Sequence, residues 1–153
     1  MVKMVLEILA LVSVGWVSGA EIGSWFGIQP IVSRLPFEQQ LNLEKSMLQS
    51  FGKIMPVLMP FSALVVILLA ILSAADASHI FSLHVVAAVC IAITIGTTLI
   101  INVPINKRTA KWGLDDNFEK WSMMRKRWHF FQGVRGILFL VSFILLAIAA
   151  SIH

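Results

Sequence analysis

This chain is short of what a water-soluble protein needs. Only 13% of its 153 residues are charged while 58% are hydrophobic, against about 25% charged in an ordinary soluble domain. A mean hydropathy of +0.87 excludes a water-soluble globule. The single cysteine, Cys90, sits in an apolar run, so an intrachain disulfide is excluded. Histidines occur only at His79, His84, His129 and His153, with no pair at the four-residue helical spacing of a metal site. No phosphate-cradling glycine loop and no nucleophile elbow is present. Internal repeats are absent, as is a polar path through one end of the apolar segments, which argues against a transporter. The net charge of +4 is not a nucleic-acid signal either, because the basic residues flank apolar runs and read as membrane topology.

What is present is length of apolar chain. Four runs, 4–28, 51–75, 80–103 and about 130–152, reach the roughly 20 residues that span a hydrocarbon core. In lipid each must be helical, since every backbone N–H and C=O has to be satisfied within its own segment. The expected fold is all-α, an integral membrane four-helix bundle. It forms one domain over 1–153, with helices at about 4–28, 51–75, 80–103 and 121–152. The first run continues too far for a signal-peptide core and reads as a retained span. Eleven of the twelve Lys and Arg residues lie with the first and third loops, leaving Lys3 alone on the other side. The positive-inside rule then puts both termini on the extracytoplasmic side of a multi-pass protein of a cell inner membrane or an endomembrane.

Taken in order, helix 1 carries Gly15, Gly19, Gly23 and Gly27, a four-residue ridge of the kind that lets transmembrane helices approach closely. It is the expected contact of a homo-oligomer. Glu21 falls on roughly the opposite face. In the first loop, after Pro30 and Pro36, the residues Phe37, Leu41, Leu48 and Phe51 recur at near-helical spacing and predict an interfacial amphipathic helix feeding helix 2. Pro56 and Pro60 should kink the first turns of helix 2. The short link over 73–78 predicts an antiparallel hairpin. On helix 3, Thr94, Thr98 and Asn102 share a face, and the helix should end or bend near Val103, before Pro104. Helix 4 should begin ahead of the membrane, because Trp121, Arg125, Trp128, Gln132, Arg135, Phe139 and Ser142 form one stripe with His129 at its edge.

Polar groups at membrane depth are expensive and mark candidate sites. Glu21, Asn102, His129, Gln132 and Arg135 all fall in the cytoplasmic third, where they are expected to line one pocket. The plainer reading is an ion pair between Glu21 and Arg135, with the amides satisfying helix ends. Trp25, Trp112, Trp121 and Trp128 read most simply as interfacial belt anchors. The basic run Arg125–Arg127 reads as an orientation signal or a contact with anionic lipid. No cofactor is expected; were a metal present, Glu21 and His129 would be the least poor ligands.

The segment Asn102-Val-Pro-Ile-Asn106 closes the third span, and Trp121…Arg125…Trp128-His129…Arg135 opens the fourth. Together with the four apolar spans, these motifs resemble the anthrone oxygenase-like family (domain of unknown function 1772). The resemblance implies a four-helix membrane protein oxidising anthrones to anthraquinones without metal or flavin. It points to Asn102, Asn106, Trp128 and Arg135 as site residues, while His129 departs from the asparagine of the family pattern. Such chemistry needs a base, donors for a developing oxyanion and a greasy pocket. His129 or Glu21 is the expected base. Arg135, Asn102 and Gln132 are the expected donors, with Asn106, Trp121 and Trp128 against the substrate. The expected partners are the lipid bilayer and a hydrophobic small molecule, and no nucleic acid. The rival reading is a non-enzymatic membrane protein that binds such a molecule or a lipid, or serves as a helix-packing partner.

Overall fold

A computed structural model describes residues 1–75 and 78–152. Asp76, Ala77 and His153 lie outside the described residues, so the tip of the link expected over 73–78 and the last histidine go undescribed. The first helical stretch is α1 (Val2–Gly23), which continues through a π-helical turn (Ser24–Ile28) into the short α2 (Gln29–Val32). After a tight turn, α3 (Phe37–Leu72) runs unbroken for 36 residues and ends in a 3-10 turn, Ser73–Ala75. Then α4 (Ser78–Thr97) passes through a second π-helical turn (Thr98–Asn102) into α5 (Val103–Lys111). A loop leads to α6 (Phe118–Ser151), whose start is capped by the Asn117 side chain accepting from the Lys120 N–H. Four stretches, Val2–Val32, Phe37–Ala75, His79–Lys111 and Phe118–Ser151, are long and apolar enough to cross a membrane. The fold is all-α, and no strand occurs among the described residues.

The structure sharpens two expectations about the helices. The helix expected to feed the second span is continuous with it as the opening turns of α3, so Pro56 and Pro60 stand in that helix's interior and not in its first turns. Between Phe37 and Ser50 the chain holds Glu, Gln, Leu, Lys and Met, which are strong helix formers, and no breaker. The helix therefore forms below the apolar span and carries on through the prolines. The third span, expected to end or bend near Val103, does not end there: at that residue a π-helical turn gives way to α5. Both π turns end two residues before a proline, Ile28 before Pro30 and Asn102 before Pro104. A proline cannot donate to the carbonyl four residues back. The wider turn absorbs that missing bond and lets the helix continue, and such turns are frequent at functional sites.

The stretches pack as a four-sided bundle in which α1 touches α6 and α3, and α4 touches α3 and α6. Contacts step in opposite directions along neighbours: Gly15 meets Phe143, Glu21 meets Arg135, and Ser24 meets Gln132. The topology is up-down-up-down, so both described ends of the chain lie at one end of the bundle. That end is the terminal end, and the other, with the turn before α3 and the 112–117 loop, is the loop end. The terminal half holds the apolar core, including Val14, Val17, Val66, Leu69, Ile91 and Phe139. There the Ser142 hydroxyl donates across to the Ala87 carbonyl at 3.2 Å. Close approach of α1 and α6 relies on glycines of α6: a Cβ on Gly133 would collide with the Trp25 indole, and one on Gly136 would meet Ile22 at 3.0 Å. Of the α1 ridge, Gly15 alone packs inward, against Phe143, while Gly19, Gly23 and Gly27 face away from the bundle.

Candidate functional site

All seven residues of the α6 stripe, from Trp121 to Ser142, are buried. The polar ones meet partners from each of the other three membrane-length stretches. Arg135 Nη2 donates to both carboxylate oxygens of Glu21, at 2.7 and 2.6 Å, with 8% and 4% of the two side chains exposed. Its Nη1 lies 3.5 Å from the Thr98 hydroxyl. Gln132 Nε2 donates to Ser24 Oγ at 2.9 Å, so both π turns are tied to α6. Asn102 Nδ2 reaches the Trp128 carbonyl at 3.5 Å.

A second buried ion pair lies nearer the loop end. Arg125 Nη2 is 2.6 Å from Glu44 Oε1, with 7% and 3% of the side chains exposed. The guanidinium lies over the Trp128 ring at 4.1 Å and 5.8 Å from the Trp121 centroid, so aromatic faces replace part of its hydration. Trp121 in turn packs with Phe37 and Trp112, each at 5.7 Å between centroids, forming an aromatic floor. Lys45 ties α3 to this floor by donating to the Trp112 carbonyl at 2.7 Å.

Between these pairs is a cavity of about 270 Å³ reached by residues of α1, α3, both flanks of the second π turn, and α6. That is slightly below the usual range for small-molecule pockets. One wall is polar, with Glu21, Ser24, Thr98, Asn106, Gln132 and Arg135, and Glu44 and Trp128 stand beside it. The other wall is the α3 surface from Met47 to Pro60, rich in methionine, whose unbranched side chains adapt to irregular ligands. The exposed members of the lining, Phe51, Gly52, Pro56, Pro60 and Leu99, all belong to α3 and the second π turn. The mouth of the cavity is therefore between those two elements. Pro56 and Pro60 also leave the Gly52 and Pro56 carbonyls without their usual helical donors at this mouth.

Of the residues singled out from sequence, Glu21, Asn106, Trp128, Gln132 and Arg135 line the cavity. The other three do not. Asn102 is fully buried behind the wall; the extra residue of the π turn shifts the helix phase, so that Val103 takes the lining position. His129 is half-buried on the neighbouring face of α6, 6.1 Å from the Trp25 ring, one turn from Gly133, which packs on the same indole. Trp121, 1% exposed, belongs to the aromatic floor. It and Trp128 are interior residues, not belt anchors. Glu44 was missed altogether because it lies on a segment that reads as a surface helix. Its only sequence signal is that it follows Leu41 on the face of Phe37. Among the described residues no three His, Cys, Asp or Glu side chains gather as a metal site requires.

The wall also holds more hydrogen-bonding capacity than the protein uses. Asn106 Oδ1, Trp128 Nε1, Gln132 Oε1 and Arg135 Nε are all buried without a protein partner. Native interiors carry few such groups, and a cluster of them calls for an explanation. A ligand offering both donors and acceptors against an apolar body would supply one.

A protein-family model described as anthrone oxygenase matches residues 47–145. No curated protein and no solved structure matches the chain. The matched region begins within α3 and ends within α6, and holds most of the cavity lining but neither Glu21 nor Glu44.

Proposed function

The chain belongs to the anthrone oxygenase family, and on that premise we propose that it oxygenates a flat hydrophobic aromatic substrate in the loop-end cavity. The observation that supports this reading is the cavity's two-sided lining, a methionine-rich apolar wall facing carboxylate, amide and guanidinium groups. An anthrone-type methylene lies between two rings and is conjugated to a carbonyl, so a carboxylate can remove its proton. The resulting anion transfers an electron pair to O₂ as a C–O bond forms, and protonation gives a hydroperoxide. Loss of water then leaves the quinone, so substrate plus O₂ gives quinone plus water. The reaction needs no further oxidant.

In this scheme Glu21 or Glu44 takes the proton, and Arg135, with Gln132 and Asn106, donates to the oxyanion that forms as the proton leaves. Trp128 supplies a flat wall. His129, outside the lining, acts at most through its neighbours. The lipid-side mouth admits a substrate dissolved in the bilayer. By the charge bias of the loops, the cavity faces the cytoplasmic end.

A second reading has an observation of its own. Both carboxylates are held in short ion pairs, which leaves no free base, as expected of a protein that binds such a molecule without converting it. The two are separated by supplying an anthrone to the protein in nanodiscs under ¹⁸O₂. Quinone carrying one ¹⁸O, formed faster than with empty nanodiscs, supports the enzyme. Saturable binding with only background oxidation supports the binder.

A further inference from the structure

We infer that the groove between α5 and the start of α6 is a binding site for an anionic phospholipid, with its phosphate held between Arg108 and Arg127. The groove encloses about 400 Å³ and is separate from the substrate cavity, sharing none of its lining. Ile100, Ile101, Pro104 and Ile105 form one side, Met123 and Met124 the other, and the two arginines stand on opposite helices. Both arginines are exposed, and neither is engaged by a carboxylate among the described residues, unlike Arg125 and Arg135.

Two features together select an amphiphile over a free anion. Guanidinium forks from two helices match the oxygens of a phosphate diester. Directly beside them Ile100 is 77% exposed and Met123 63% exposed, an apolar strip that an acyl chain covers and a soluble phosphate does not. The position also fits, because Arg108 stands eight residues beyond Ile100 in the last turn of α5, at the cationic end of the membrane-length stretch His79–Lys111. The cationic side of a membrane protein faces the leaflet that carries anionic lipid. A lipid seated here would bridge α5 to α6 across the 112–117 loop.

The test uses the full chain. Native mass spectrometry of protein titrated in mild detergent with a phosphatidylglycerol or a phosphatidylcholine counts bound lipid directly. The wild type should retain one phosphatidylglycerol in preference to phosphatidylcholine. Arg108→Gln/Arg127→Gln should weaken that binding by about thirty-fold, at about 1 kcal/mol per basic residue. Arg34→Gln/Lys53→Gln, which removes two exposed cations outside the groove, should leave it unchanged. Equal loss in both double variants would mean a diffuse surface potential and would overturn the site. So would no loss in either, or displacement of the lipid by millimolar inorganic phosphate, which would identify a soluble-anion site.

Discussion

In the terminal half of the bundle Ala10, Val14, Val17, Leu69, Ile91 and Phe139 meet with at most 1% of their surface exposed. In the loop half Glu21, Glu44, Arg125 and Arg135 are almost as deeply buried, none above 7%. The same helices supply both halves. Lipid is as apolar as leucine, so the terminal half gains its cohesion from close fit and the Ser142–Ala87 bond, not from exclusion of water. The loop half gives up that economy. Burying two ion pairs costs much of what their attraction returns, and the cavity between them forfeits packing contacts. A bundle that needed only to hold together would repeat the first pattern to both ends, so the second pattern is the one that calls for a ligand.

The comparison breaks first on activity. If the loop half is a catalytic site, replacing the true base, Glu21→Gln or Glu44→Gln, should lower turnover of an anthrone by ~100- to 10,000-fold. His129→Ala, outside the lining, should cost less than about tenfold. A collapse with His129→Ala and none with either glutamate variant would move the chemistry out of the cavity.

Next comes stability. Arg135→Leu strands the Glu21 carboxylate and should cost ~3–5 kcal/mol, measured by reversible unfolding in mixed micelles. Glu21→Gln/Arg135→Leu should recover most of that loss. An undamaged single variant would mean that the pair is not buried in the folded protein. Leu69→Ala, in the terminal half, should cost ~2–5 kcal/mol through its cavity while leaving ligand affinity within a factor of two or so. A comparable loss of affinity would show that the halves are coupled rather than distinct.

How much of this was legible in the sequence differs between the halves in the same way. The α6 stripe was readable because the four-three spacing of Trp121, Arg125, Trp128 and Gln132 survives whatever the helix packs against. The pairing of Glu21 with Arg135 was readable because charges at one membrane depth must find each other. Glu44 was not, since nothing in 37–50 distinguishes a surface helix from the buried foot of a longer one. Asn102 was misplaced relative to the cavity because a π turn shifts phase by one residue, and only the following proline hints at it. Trp121 and Trp128 were read by their usual interfacial habit, which the Arg125 guanidinium overrides by giving their faces a cation to cover. In α1 the glycine spacing was visible, but of that ridge only Gly15 meets another helix within the chain, and the other close contacts are made by Gly133 and Gly136 on α6.

The smallest effects concern the outward ridge and the orientation. A Cβ at Gly19 meets nothing within 4 Å, and Gly19→Leu should change the stability of the single chain by less than about 0.5 kcal/mol. We expect the same variant to shift native mass spectra toward smaller assemblies, as a subunit contact through Gly19, Gly23 and Gly27 requires. Unchanged assembly would assign the ridge to lipid. Cysteines at Ala75 and Asp116, in a Cys90→Ser background, should react with an impermeant reagent from opposite sides of the membrane, Ala75 from outside.

The central claim is that the loop half is where a ligand sits, and a diazirine-bearing anthrone analogue tests it directly in nanodiscs. After photolysis, peptide mass spectrometry should find adducts on the cavity lining, at Met47, Met55, Met59 and Trp128, and excess unlabelled anthrone should suppress them. Gly52→Trp, a bulky side chain at the mouth, should suppress them too. Adducts spread evenly over lipid-facing residues such as Val12, Ile67 and Ile144, with no suppression by either, would contradict the account.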